Sequence, residues 1–127
     1  MKKIDKAFNA MVWIESLELD YKQGGRKLGS YEDGLCCLGL ACYVNELPYK
    51  SSHEFLSNNN AKSLGLIDDC GYPANGYLPE VKNLIYYNDS DGKSFKQIAK
   101  ILKKHPHAYF EKEVADEIQL AYSQENN

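Results

Sequence analysis

Two polar segments carry the residue types that hold anions. In Lys22-Gln23-Gly24-Gly25-Arg26-Lys27, two adjacent glycines sit between an amide and two cations, so the backbone can approach a ligand that the side chains attract. Asn88-Asp89-Ser90-Asp91-Gly92-Lys93-Ser94 joins amide and carboxylate side chains to a Gly-Lys-Ser run in front of an expected helix, where free N–H groups favour a phosphate. Tyrosines border both segments, Tyr21 before the first and Tyr87 before the second. A tyrosine ring can stack on a base while its hydroxyl binds sugar or phosphate, although most of the ten tyrosines are more simply read as half-buried packing residues.

Other chemistries fit less well. Gly92-Lys93-Ser94 matches the end of a phosphate-binding loop, but the first glycine of that motif falls on Tyr87 and no strand precedes it, which argues against an ordinary nucleotide hydrolase. A calcium loop fails at both ends, where Tyr87 and Ile98 replace ligands. Zinc has Cys36, Cys37, Cys42, Cys70 and His53 to draw on, yet there is no Cys-x-x-Cys pair, and neighbouring helical cysteines point about a hundred degrees apart. A cysteine nucleophile needs a base and an electropositive, partly exposed setting, whereas Cys36-Cys37-Leu38-Gly39-Leu40-Ala41-Cys42 has the character of a buried element. No catalytic residue, metal or cofactor is therefore expected. Lys96, Lys100, Lys103 and Lys104 form a basic stripe opposite Phe95, Ile98 and Leu102, which reads as a solvated helix face or as a surface that steers an anion.

The chain of 127 residues is expected to form one domain, 1–127, with 43% hydrophobic and 26% charged residues supporting a packed core. A net charge of -3 is unsuited to nonspecific nucleic acid binding. Reduced core thiols, no signal-like stretch and no window long enough to span a membrane point to the cytosol. Apolar spacing predicts a helix over 4–19, a glycine-broken loop or hairpin to residue 34 in which 26–28 pairs with 35–37, and a helix from about 36 to 45. A helical turn near 53–56 and a short helix over 60–64 ending at Gly65 follow, then an extended 66–70 run, a turn at 71–76 and a helix opening at Pro79 and closing at Asn88-Asp89. Ser94 and Gln97 form a capping box for a helix stopped by Pro106, and Phe110, Val114, Ile118 and Tyr122 mark a last helix over roughly 107–123, with 124–127 frayed.

Cys36-Cys37-Leu38-Gly39-Leu40-Ala41-Cys42, preceded by Tyr21 to Arg26, together with Asn88-Asp89, Gly92, Ser94-Phe95 and Ile98-Ala99, resembles a widespread family of small phage and prophage proteins. The resemblance covers about residues 13–102 and departs from the family pattern at Tyr43 and Tyr86-Tyr87. It implies a role in host takeover or in countering host defence, where compact proteins without catalytic machinery act as sponges for nucleotide immune signals.

The resulting expectation is a mainly helical single domain with a small β-hairpin or short strands, binding a cyclic nucleotide or ADP-ribose derivative without turnover in the host cytoplasm. In it Gln23, Gly24, Gly25 and Arg26 bind phosphates, Asn88 and Asp89 hydrogen-bond sugar or base, Lys93 and Ser94 support the anion, and Tyr21 or Tyr87 stacks. A homo-oligomer would enclose such a ligand more fully. The alternatives are a protein that inhibits a host enzyme by binding it and a small nucleotide-cleaving enzyme.

Overall fold

Most helices start where the sequence supplies an acceptor for a free N–H group. In the computed structural model, which describes residues 5–123, Asp5 accepts from the Phe8 N–H and opens α1, Lys6–Leu17. A two-strand antiparallel hairpin follows, β1 (Gly29–Ser30) with β2 (Gly34–Leu35), in the register Gly29 to Leu35 and Ser30 to Gly34. The Cys36 sulfur caps α2, Cys37–Val44, and Ser57 caps α3, Asn58–Ser63. Asn83 caps α4, Leu84–Asp89, and Ser94 caps α5, Phe95–Lys104, with both halves of the box to Gln97 formed. Pro106 takes the first position of α6, Pro106–Tyr109, and α7 is Lys112–Tyr122. The protein is mainly helical with one small hairpin.

The core is built around α2. Every residue from Cys37 to Cys42 is buried, because α1, α4 and the hairpin each pack against this helix. Gly39 makes the hairpin approach possible: a Cβ there would run into the Leu28 carbonyl. Trp13 of α1 is fully buried and donates its indole N–H to the Cys37 carbonyl at 2.8 Å, which ties the two helices by packing and by a satisfied polar atom. The other faces of α1 meet α3, α5 and α7, and Ile98, Leu102 and Ile118 complete the apolar interior. Among the described residues no helix is long and apolar enough to cross a membrane.

Several elements differ from the sequence expectation, most of them for a non-local reason. The hairpin pairs 29–30 with 34–35, not 26–28 with 35–37, because the Leu28 and Gly29 N–H groups donate to the carbonyls of His53 and Ser51 at 2.6 and 2.9 Å. That use of residues 51–53 leaves only a bend where a helical turn near 53–56 was expected. The helix after Pro79 begins only at Leu84, since the Tyr87 hydroxyl takes the Lys82 N–H at 2.8 Å and Asn83 supplies the cap. Beyond Leu66 the expected 66–70 strand shrinks to one bridge, Leu66 to Phe110. The same bridge, with Glu111 N–H donating to the Gly65 carbonyl at 2.7 Å, holds Phe110 extended and breaks the last helix into α6 and α7. The expected fraying of 124–127, and residue 4 of the first helix, lie outside the described residues.

Candidate functional site

A cleft of about 480 Å³ opens where the glycine-rich loop after α1 meets the turn between α4 and α5. Gln23, Gly24, Gly25 and Arg26 line one side of it, and Asn88, Asp89, Gly92 and Lys93 line the other. Two amides, 65 residues apart in the chain, hold these segments together. The Gln23 Nε2 donates to Asn88 Oδ1 and to the Lys93 carbonyl, both at 2.8 Å, and its Oε1 accepts from the Phe95 N–H at 3.1 Å. Asn88 Oδ1 also accepts from the Cys37 N–H at 3.2 Å, while its Nδ2 donates to the Gly24 carbonyl and to Asp89 Oδ1, each at 2.8 Å. Phe95 and Cys37 lie in the first turns of α5 and α2, so the two amides satisfy N–H groups that those helices leave free. The backbone donors also fix which end of each amide carries oxygen.

Backbone geometry keeps the cleft open. The Gln23–Leu35 bridge, with the Gly24 N–H donating to the Leu35 carbonyl at 2.7 Å, lays the loop along the hairpin. Asp89 Oδ1 sits only 3.0 Å from where a Gly25 Cβ would be, and Gly92 has a φ of +66° that suits glycine. Arg26 adopts a φ of 69°, unusual for a residue with a side chain.

The charge left at the rim is mixed. Among the described residues, the Arg26 guanidinium and the N–H groups of Gly25, Arg26 and Gly92 have no hydrogen-bond or ion-pair partner. Lys93 is 3.5 Å from Asp91, with both side chains about one third exposed, a separation at which an ion pair contributes little and leaves the ammonium available. Asp89 adds a carboxylate half-buried beside Gly25. The cleft can thus offer cations and N–H donors to an anion, and an acceptor to a hydroxyl or amine.

The eight residues lining the cleft include seven of the ten named from the sequence, with Gly92 the addition. The signal for Gly92 was its place after Asp91, where a turn needs positive φ. Three expected contacts lie elsewhere. Tyr21 belongs to a tyrosine cluster, at 6.3 Å from Tyr31 and 6.1 Å from Tyr43, centroid to centroid. Tyr87 is buried and faces a neighbouring groove. Ser94 is used as the α5 cap, accepting from the Gln97 N–H at 3.2 Å while its own N–H donates to Gln97 Oε1 at 2.9 Å. With the Phe95 N–H given to Gln23, the α5 N-terminus has little left for a phosphate, so the open donors are on the Gly25–Arg26 side. Gln23 and Asn88 line the cleft as its internal fasteners.

The thiols are poorly suited to nucleophilic attack. Burial pushes Cys36 up to about 11 and Cys42 up to about 12, raises Cys37 well above the ordinary thiol value, and lifts the half-buried Cys70 to about 11. Asp68, Asp69 and Cys70 form a three-ligand group within metal-binding reach of one another, but Asp68 Oδ2 already accepts from the Cys70 and Tyr72 N–H groups at 2.8 and 3.1 Å. The basic stripe is divided: Lys103 pairs with Glu18 and lies 4.7 Å over the Tyr122 ring, while Lys100 and Lys104 border the groove that Tyr87 faces.

No family model, curated protein or solved structure matches the chain.

Proposed function

We infer that the protein binds a small nucleotide in the Arg26–Lys93 cleft and sequesters it without turnover. The observation that carries this reading is the meeting of the two anion-type segments in one opening, with Arg26 unpaired and backbone donors free beside the Asp89 carboxylate. A phosphate fits the Arg26 and Gly25 donors, and a ribose hydroxyl or an exocyclic amine fits Asp89. Protonated, buried thiols favour binding over cleavage. The resemblance to phage proteins extends the reading to a phage-encoded anti-defence sponge in the host cytoplasm, with the ligand a cyclic nucleotide or an ADP-ribose derivative. A second copy closing over the shallow cleft would give the enclosure that tight retention needs.

Incubation with a panel of cyclic and ADP-ribose-like nucleotides, followed by removal of free ligand, heat denaturation and analysis of what is released, tests this. Intact ligand returned by the wild type and lost in Arg26→Ala is the expected result. Altered ligand points to a cleaving enzyme instead, and no retention at all overturns the reading.

One observation favours a second reading, inhibition of a host protein by surface contact. Tyr31 and Tyr43 stack at 5.6 Å while 58% and 40% exposed, and Phe8 on α1 and Leu19 just after it are 60% and 59% exposed. Exposed aromatic residues of this kind are typical of protein interfaces. Co-purification from host lysate after nucleotide binding has failed is the measurement for it.

A further inference from the structure

Beside the cleft lies a second opening of about 390 Å³, between the 80–87 segment and α5, that the reading above leaves unused. Its floor is apolar, formed by Val81, Tyr87 and Ile101. Its rim carries Lys93, Lys100 and Lys104, against the single carboxylate of Glu80. Tyr87 is held in place at this floor, since its hydroxyl accepts from the Lys82 N–H at 2.8 Å and donates to the Glu80 carbonyl at 3.4 Å. Lys100 and Lys104 are one helical turn apart on the exposed face of α5, and among the described residues neither has an ion-pair partner.

Lys93 borders both openings. We propose that cleft and groove together take one dinucleotide, with one phosphate between Arg26 and Lys93, the other against Lys100 and Lys104, and the second base over the apolar floor. An apolar base-sized floor rimmed by cations fits a nucleoside phosphate better than it fits an inorganic anion, which needs no floor, or an apolar ligand, which needs no lysines. The shared lysine explains why two shallow sites should act as one: a ligand spanning both makes the second contact at high effective concentration. This assignment rests on the nucleotide-binding reading of the cleft and goes beyond it in fixing the ligand as a molecule with two phosphates.

Calorimetric titration of the wild type with the four ribonucleoside 5′-monophosphates and with the matching linear and cyclic dinucleotides tests it. A Lys100→Gln/Lys104→Gln variant, altered only at exposed positions, is titrated in parallel and checked by thermal unfolding. A dinucleotide should bind about tenfold or more tighter than its monophosphate, one per chain, and the double variant should lose that advantage. Equal affinity for mono- and dinucleotides, a stoichiometry of one dinucleotide per two chains, or a double variant indistinguishable from wild type overturns the groove assignment and leaves the cleft reading standing. Failure of every nucleotide to bind overturns both.

Discussion

The floor of the cleft and its rim are built from similar polar residues put to opposite uses. On the floor, each side-chain nitrogen and oxygen of Gln23 and Asn88 is bonded within the protein, and they fasten the glycine loop, α2, α4 and α5 to one another. At the rim, Arg26 and Lys93 keep cationic heads at the opening, and Asp89 places a carboxylate beside Gly25. Polarity therefore does not itself mark a ligand contact; a donor without an internal partner does. Floor substitutions should therefore be felt in stability, and rim substitutions in binding.

The largest effect on stability comes from the buried thiols of α2 and its cap. The folded-state values of Cys36 and Cys42, about 11 and about 12, lie above the ordinary thiol value of 9.0 because burial penalises the thiolate. The unfolded chain therefore loses these protons first as pH rises. Stability is complete below about pH 9 and falls as pH climbs through the folded-state values, each unit of difference corresponding to about 1.4 kcal/mol. Urea unfolding should show a much lower midpoint at pH 10.5 than at pH 8, with part of that slope removed by Cys42→Ala. A thiol reagent at pH 8 should leave Cys36, Cys37 and Cys42 unmodified in the folded protein.

Asn88→Ala comes next. It leaves the Cys37 N–H, the Gln23 Nε2 and the Gly24 carbonyl each short of a partner, and loss of such buried bonds should cost about 3 kcal/mol in urea unfolding. Gln23→Ala should act in the same direction through the Phe95 N–H and the Lys93 carbonyl. A loss below about 0.5 kcal/mol for Asn88→Ala, the range of an ordinary surface change, would erase the distinction between floor and rim.

What the sequence revealed follows the same division between local and distant causes. The α5 start was legible because Ser94 and Gln97 cap each other within one turn, and α2 because its apolar run is contiguous. The rim residues Gly24, Gly25, Arg26 and Lys93 were legible as types. Their convergence was not, since it depends on the Gln23–Asn88 bond across 65 residues. The hairpin register and the break at Phe110 were hidden for the same reason, being set by residues 51–53 and by Gly65-Leu66. That Tyr87 faces a neighbouring groove and not the cleft was hidden too, because its hydroxyl is committed to the Lys82 N–H.

Arg26→Gly separates the two quantities most sharply on the rim. A non-glycine residue at a φ of 69° carries a backbone cost that glycine removes, so the variant should gain up to about 1 kcal/mol in stability. It also deletes the unpaired guanidinium, and nucleotide retention should fall by about tenfold or more. Stability rising while binding falls is a result that a purely structural role for this loop does not produce. Binding retained at the wild-type level would remove the rim from the site.

Lys93→Gln should give the smallest change in stability and the most informative change in binding. The backbone bonds of residue 93, its N–H to the Tyr87 carbonyl at 2.9 Å and its carbonyl to Gln23 Nε2 at 2.8 Å, do not involve the side chain and survive the substitution. What is lost is an exposed pair with Asp91, which contributes at most a few tenths of a kcal/mol. The unfolding midpoint should therefore stay within error of wild type. The affinity for a phosphate-bearing ligand should weaken, and its dependence on salt should become shallower because one cation no longer takes part. A lysine that merely decorated the rim would leave both the affinity and the salt slope where they were.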